Sequence, residues 1–171
     1  MNMRQRLQRM LEATAGVLVA PLALPAVLGI RCGSASAFIG GGHLLGLIPG
    51  RIGQYARAGY YASTLRSCGP GVVLEFMASI SSPQAVVGPR VVVGSYGAIG
   101  MVDIGPDVVI GDRAMVGNEH ELIHLGAGCA IGEGAVVLAD VGAGARIAPG
   151  AVVTKAVPKG ATGSGHPLCI T

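Results

Sequence analysis

Between Val116 and His124 this chain places two glutamates and two histidines within a few residues: Glu119, His120, Glu121 and His124. The other two of its 4 histidines, His43 and His166, lie far from this stretch in sequence. An imidazole titrates near neutrality, so it can take up and return a proton at ordinary pH. A neighbouring carboxylate can orient the ring and stabilise its charged form. His120, flanked by Glu119 and Glu121, is therefore the first candidate for a general base. His124 ranks second, because it directly precedes the aliphatic Leu125 and its side chain is expected to point outward. The same residues also read as a solvated polar loop. A zinc site would need three converging imidazoles, and this stretch has two. Lys155 and Lys159 offer point charges to a phosphate, or form a solvated pair. Cys32, Cys68, Cys129 and Cys169 have neither metal spacing nor a paired motif. No phosphate-binding glycine loop in strand–helix context is present.

The elements that must position these groups are written in a six-residue period. Units begin at Val87, Val93, Ile104, Ile110, Leu125, Ile131, Val141, Ile147 and Val153. In seven of the nine the next residue is glycine: Gly88, Gly94, Gly105, Gly111, Gly126, Gly132 and Gly142. The fifth position is small or slender: Val91, Gly97, Val108, Ala114, Cys129, Ala135, Ala145, Ala151 and Val157. A hexapeptide period belongs to the parallel β-helix. In a short strand alternate side chains face opposite ways, so the first and fifth positions both point inward. Glycine at the second position is expected to allow a bend at a corner. Three units make one coil, and stacked coils bury a continuous aliphatic column that no single coil could bury alone. That architecture explains 29 Gly, no Trp and only 4% aromatic residues. Cys129 falls in the inward slot and reads as a packing thiol. The period breaks after Ile99, after Val137 and, at greatest length, between Val116 and Leu125. A loop leaving a rigid coil is a natural seat for function.

Charge and hydropathy divide the chain differently. Residues 1–70 hold seven Arg and a single acid, Glu12, whereas residues 71–171 hold five bases and eight acids. Mean hydropathy is +0.61, and much of it lies in the front. No charge occurs between Glu12 and Arg31, nor between Arg31 and Arg51. Pro21 and Pro25 interrupt the first of these stretches, so a bent or re-entrant hairpin is expected rather than one straight span. Arg4, Arg6 and Arg9 precede it, and Arg51, Arg57 and Arg66 follow, which favours both ends facing the cytoplasm. Tyr55, Tyr60 and Tyr61 suit an interfacial helix. A basic, apolar front is expected to meet phospholipid. Two other readings stay open: a secretory signal cleaved after Ala37, and a soluble helical cap on the first coil.

With these motifs on the page, the chain resembles the hexapeptide-repeat acyltransferases. The resemblance rests on Ile131-Gly132-Glu133-Gly134-Ala135-Val136-Val137 and on Pro149-Gly150-Ala151-Val152-Val153-Thr154-Lys155. Leu47-Ile48-Pro49-Gly50, Gln54-Tyr55-Ala56-Arg57 and Arg66-Ser67-Cys68-Gly69-Pro70 extend it toward bacterial O-acetyltransferases with a hydrophobic N-terminal extension. It covers residues 44 to 158. The resemblance implies a mainly β fold, a left-handed parallel β-helix, which departs from the usual right-handed crossover. It also implies a homotrimer with acetyl-CoA or another acyl-CoA lying between coils, and a loop histidine as base without a covalent acyl-enzyme. Carried onto this chain, the catalytic residues are His120 with Glu119 and Glu121. Those facing the acyl-CoA are Gly142, Ala148, Lys155 and Lys159, and no metal is expected. Two departures stand out. Only Glu121-Leu122-Ile123-His124 separates His120 from the resuming repeat, where the family has a longer loop. The end, Gly163-Ser164-Gly165-His166-Pro167-Leu168, lacks the family's closing turn and basic tail.

The expected organisation is a membrane-associating helical region at 1–70, an acyltransferase β-helix at 71–158 and a tail at 159–171. The expected activity is transfer of an acyl group, on this resemblance an acetyl, to a hydroxyl of a sugar or polysaccharide precursor. The place is the bacterial cytoplasm at the inner-membrane surface, and no nucleic acid partner is expected. A carbonic-anhydrase-like metalloenzyme and a non-catalytic β-helical scaffold are the competing readings.

Overall fold

All nine unit-opening residues turn inward: Val87, Val93, Ile104, Ile110, Leu125, Ile131, Val141, Ile147 and Val153 are each at most 3% exposed. The small fifth-position residues are buried with them. The structure is a computed structural model, and it describes residues 36–118, 120–165 and 169–170 together with Pro21, Ala23, Leu24 and Val27. It is a parallel solenoid of about 5 turns preceded by two helices. Strands of two or three residues stack into three sheets. The first holds Ser67–Cys68, Val86–Val87, Val102–Ile104 and Ile123–Leu125. The second holds Val73–Leu74, Val92–Val93, Val109–Ile110, Ala130–Ile131, Arg146–Ile147 and Thr162–Ser164, closed by an antiparallel Cys169–Ile170. The third holds Ser79–Ile80, Ala98–Ile99, Met115–Val116, Val136–Val137 and Val152–Val153.

The coil therefore runs from Ser67 to Ser164, beginning before and ending after the expected repeat. Its first turn was hard to read because Leu74 and Ile80 are followed by Glu75 and Ser81 rather than glycine. Glu75 is held from outside the coil, its carboxylate accepting a hydrogen bond from Gln54 Nε2 at 2.9 Å.

The second-position glycines have a different task from the one expected. Their φ values are not left-handed; the left-handed residues sit two places later. A Cβ on Gly126 would lie 2.2 Å from the backbone nitrogen of Ala143, and one on Gly132 would lie 2.4 Å from that of Pro149. These glycines let successive coils touch backbone to backbone. The bend is made at the fourth position, by Gly128, Gly134, Gly144 and Gly150 in the later coils and by Met77, Arg90, Tyr96, Asp107 and Arg113 in the earlier ones. Two glycines thus predict different penalties. Gly126→Ala forces coils apart and costs about 2–3 kcal/mol. Gly134→Ala meets no atom within 4 Å and costs only the left-handed conformation, about 1 kcal/mol. Urea-unfolding midpoints of the two variants at equal slope measure the difference.

The helices α1 (Ser36–Gly46) and α2 (Gly50–Thr64) lie on the first turn of the coil. Phe38, Tyr60 and Tyr61 form an aromatic cluster with ring centroids 5.4–6.1 Å apart. Gly41 and Gly42 admit the two tyrosine rings, since a Cβ at either would sit 2.5 Å from a phenol oxygen. Tyr60 donates to the carbonyl of Phe38 at 2.8 Å, and Tyr61 accepts the N–H of Ile80 at 3.0 Å. Arg57 is fully buried and donates to the carbonyls of Leu74, Leu45 and Ile48. Here the expectation for the front is corrected: Arg57, Tyr60 and Tyr61 are core residues that fasten the cap, and only Arg51, Tyr55 and Arg66 reach the surface. Across residues 36–64 the segment takes the form of a helical cap. Arg4, Arg6, Arg9, Cys32 and most of the uncharged stretch after Glu12 lie outside the described residues. Among the described residues no helix is long and apolar enough to cross a membrane.

Burial pushes the phenols of Tyr60 and Tyr61 up to about 12. The folded cap thus keeps protons that the unfolded chain releases near 10.0. Their contribution to stability is fully present below pH 10 and is lost as pH rises through the folded value. Tyrosinate absorbance is expected to rise in step with loss of helical circular dichroism between about pH 10 and 12, later than in free tyrosine.

Candidate active site

Every irregularity of the coil falls on one edge, the return from the third sheet to the first. Within a turn each step between inward residues is six. At the return it is seven from Ile80 to Val87, five from Ile99 to Ile104, nine from Val116 to Leu125, and four from Val137 to Val141 and from Val153 to Val157. The nine-residue step is the loop that carries the histidines. Gly117 enters it with φ +82, where its N–H still donates to Val137. Asn118 then organises the turn: its carbonyl accepts the N–H of Met101 at 2.8 Å, and its side-chain Oδ1 accepts the N–H groups of His120 and Glu121 at 2.8 and 2.7 Å. Such a side-chain-to-backbone turn is what asparagine does at chain reversals. Ile123 returns the chain to the core at 1% exposure.

His120 is exposed at the mouth of a groove of about 400 Å³ running along the third sheet. Ser79, Ala98, Met115, Asn118 and Leu138 line it with His120. Its walls are mostly apolar, with hydroxyls at one end, where Ser81 Oγ donates to the carbonyl of Ile99 at 3.2 Å. Glu119 lies outside the described residues. Glu121 is exposed, and among the described residues no carboxylate pairs with the His120 ring.

The imidazole–carboxylate pair is found one strand later. His124 lies in register with Asp103 on the first sheet, its Nδ1 3.6 Å from Asp103 Oδ2. That is an ion-pair distance rather than a hydrogen bond. The backbone N–H of His124 donates to Asp140 Oδ1 at 2.8 Å. Asp103, His124 and Asp140 thus stack on three successive turns of the outward face. Sequence reasoning missed Asp103, Asp140 and Asn118. A signal for the first two existed: each stands, like His124, one place before an inward aliphatic residue.

The residues expected to face acyl-CoA do not share one edge. Lys155, exposed, follows Val153 on the same edge as the His120 loop. Gly142 and Lys159 meet across two turns at the next edge, where a Cβ on Gly142 would lie 2.4 Å from the backbone nitrogen of Lys159. Ala148 occupies the remaining edge, its N–H bound to Gly163. Cys129 is fully buried, and burial pushes its thiol up to about 11, which suits packing rather than attack. His43 is exposed on α1, and His166 lies outside the described residues. Among the described residues no three His, Cys, Asp or Glu side chains come together as a metal would require.

This arrangement defines the class of fold, a parallel β-helix built from hexapeptide repeats. Among solved structures, the chain is similar to AntD, an N-acyltransferase from Bacillus cereus, in complex with dTDP and coenzyme A. Identity is 14%, with 63% of this chain and 83% of that chain covered and a TM-score of 0.52. A further AntD structure, with dTDP-4-amino-4,6-dideoxyglucose and coenzyme A, also aligns with a TM-score of 0.52 at 14% identity, covering 63% and 83% of the two chains. Serine acetyltransferase in complex with CoA aligns at 23% identity over 70% of this chain, with a TM-score of 0.52. The chain spans 48% of that enzyme's length. No protein-family model and no curated protein matches the sequence.

Proposed function

We propose that this chain is a CoA-dependent acyltransferase, moving an acetyl or related acyl group to a hydroxyl of a sugar or polysaccharide precursor. One observation carries the reading: the longest excursion from the coil holds His120 over a groove, on the edge that also carries Lys155. The bound ligands of AntD, coenzyme A and a dTDP-linked amino sugar, support the two substrate classes. His120 takes the acceptor's hydroxyl proton as its oxygen attacks the thioester carbonyl. The tetrahedral oxyanion collapses, the carbon–sulfur bond breaks, and the imidazolium returns the proton to the departing thiolate. Glu119 and Glu121, the sequence neighbours of His120, make the loop's potential negative, which favours the charged ring without a direct pair. Lys155, on the edge of the His120 loop, meets phosphates of the nucleotide; Gly142, Ala148 and Lys159 stand on the other edges and are left out of this site.

The assembly is a homotrimer at the cytoplasmic face of a bacterial membrane. Outward Val73, Val92 and Val109 on the second sheet, and Ala98, Met115 and Val136 on the third, support association of the coils through apolar faces. The test is release of coenzyme A from acetyl-CoA, followed by chromatography, with nucleotide sugars and oligosaccharides as acceptors. Acceptor-dependent release supports the reading; none across acyl donors and acceptors overturns it. The short Glu121-to-His124 connection favours a second reading, a non-catalytic β-helical scaffold, which predicts assembly without turnover.

A further inference from the structure

We propose that the corner between α1 and α2 is a lipid-seating surface, with Leu44, Leu47, Ile48 and Ile52 entering an anionic bilayer and Arg51 meeting its headgroups. This rests on the membrane-surface part of the proposed function and gives it a location. The core of the cap is already satisfied by Phe38, Tyr60, Tyr61 and Arg57, so it has no use for these four aliphatic residues. Leu44, Leu47 and Ile52 are each at least 60% exposed. All four fall within nine positions of the chain, around the turn at Pro49. Leu44 and Leu47 also wall an open, mostly apolar groove of about 510 Å³ with Gly40, His43 and Met77. Isolated exposed aliphatic residues need no explanation, but a cluster of large ones marks an interaction surface.

Charge selects the occupant. From Glu12 to Glu75 the sequence contains no acid, while Arg51 and His43 stand exposed beside the cluster. A second copy docking face to face through this same corner would set Arg51 against Arg51. An anionic lipid surface offers both the apolar interior and the negative rim. Leu24, 63% exposed on the preceding helical residues, continues the apolar character. The structure also changes which residues do this work: Tyr60, Tyr61 and Arg57 are occupied in the core, and the aliphatic corner takes the place expected of them.

The test is sedimentation of the full chain with vesicles of phosphatidylglycerol or of phosphatidylcholine. Wild type is expected to partition onto the anionic vesicles and to weaken as salt is raised. The variant Leu44→Ser/Leu47→Ser/Ile52→Ser is expected to lose about tenfold in partitioning, because each removed side chain withdraws apolar area from the interface. Arg51→Glu is expected to lose about fivefold on anionic vesicles and nothing on neutral ones. Unchanged thermal unfolding of both variants establishes that the cap is intact, as exposure of these side chains predicts. If wild type binds vesicles and the triple variant binds equally well, this surface is wrong and the membrane reading stands elsewhere. If wild type binds no vesicles, the membrane reading falls and takes this proposal with it. If the triple variant instead dissociates an oligomer, the occupant is another copy and the proposal is overturned.

Discussion

Replacing His120 with alanine is expected to lower kcat for acyl transfer by about 10²–10⁴-fold, the range a positioned general base contributes. Folding is expected to be untouched. The ring is exposed, and the turn is held by the residue's backbone N–H on Asn118 rather than by its side chain. Equal thermal unfolding of wild type and variant separates loss of chemistry from loss of structure. Two companions sharpen the result. Asn118→Ala removes the acceptor of two backbone N–H groups, so the loop loses its shape while the imidazole remains. A smaller fall in kcat is expected there, because a base held loosely spends less time in reach of the acceptor. His124→Ala tests the competing imidazole. His124 has the partner that His120 lacks among the described residues, Asp103 at 3.6 Å, but it stands on the first sheet and does not line the groove along the third. If His124→Ala abolishes turnover and His120→Ala spares it, the base assignment is wrong.

The second large effect is on stability. Arg57→Met is expected to destabilise the protein by about 4 kcal/mol, because the carbonyls of Leu45, Ile48 and Leu74 lose their donors at once. Two of these carbonyls close the end of α1 and the third belongs to the first turn of the coil, so one guanidinium ties the cap to the repeat. Opposing terms exist. Burial lowers the pKa of Arg57 against the pull of Glu75, and its Nη2 is buried without a partner among the described residues. Methionine removes that desolvated charge and fills much of the space. The loss still dominates, since replacing one partner strands the others, whereas relief would require replacing both sides. Arg57→Lys keeps the charge but has one compact head in place of a planar fork, so an intermediate loss is expected. Chemical denaturation of all three proteins measures the order. A methionine variant as stable as wild type would show that the cap is held by the aromatic cluster alone.

Much of the coil was legible because its constraints repeat. An inward aliphatic at Ile131 and a small residue at Ala135 mean little once, but the same pair in nine units leaves few folds that could use it. The first turn, from Ser67, was not legible, because Glu75 and Ser81 stand where the later units have glycine. At Glu75 the hydrogen bond from Gln54 stands where the repeat would have shown a bare backbone. Tyr60, Tyr61 and Arg57 were misplaced for a related reason. Composition cannot distinguish a tyrosine at an interface from one whose hydroxyl is satisfied by a carbonyl 22 residues away.

Sequence alone determined the period, the identity of the buried column, the place of the longest excursion and the histidines on it. These are local or strictly periodic properties, so each residue's neighbours in the chain suffice to reveal them. Only the tertiary structure decided that all the irregular steps share one edge, that second-position glycines serve coil-to-coil contact, and that Asp103, His124 and Asp140 form a column. Those facts depend on how many residues make up each turn. A change of a single step at the return edge shifts which side chains lie above one another, and no local window contains that sum.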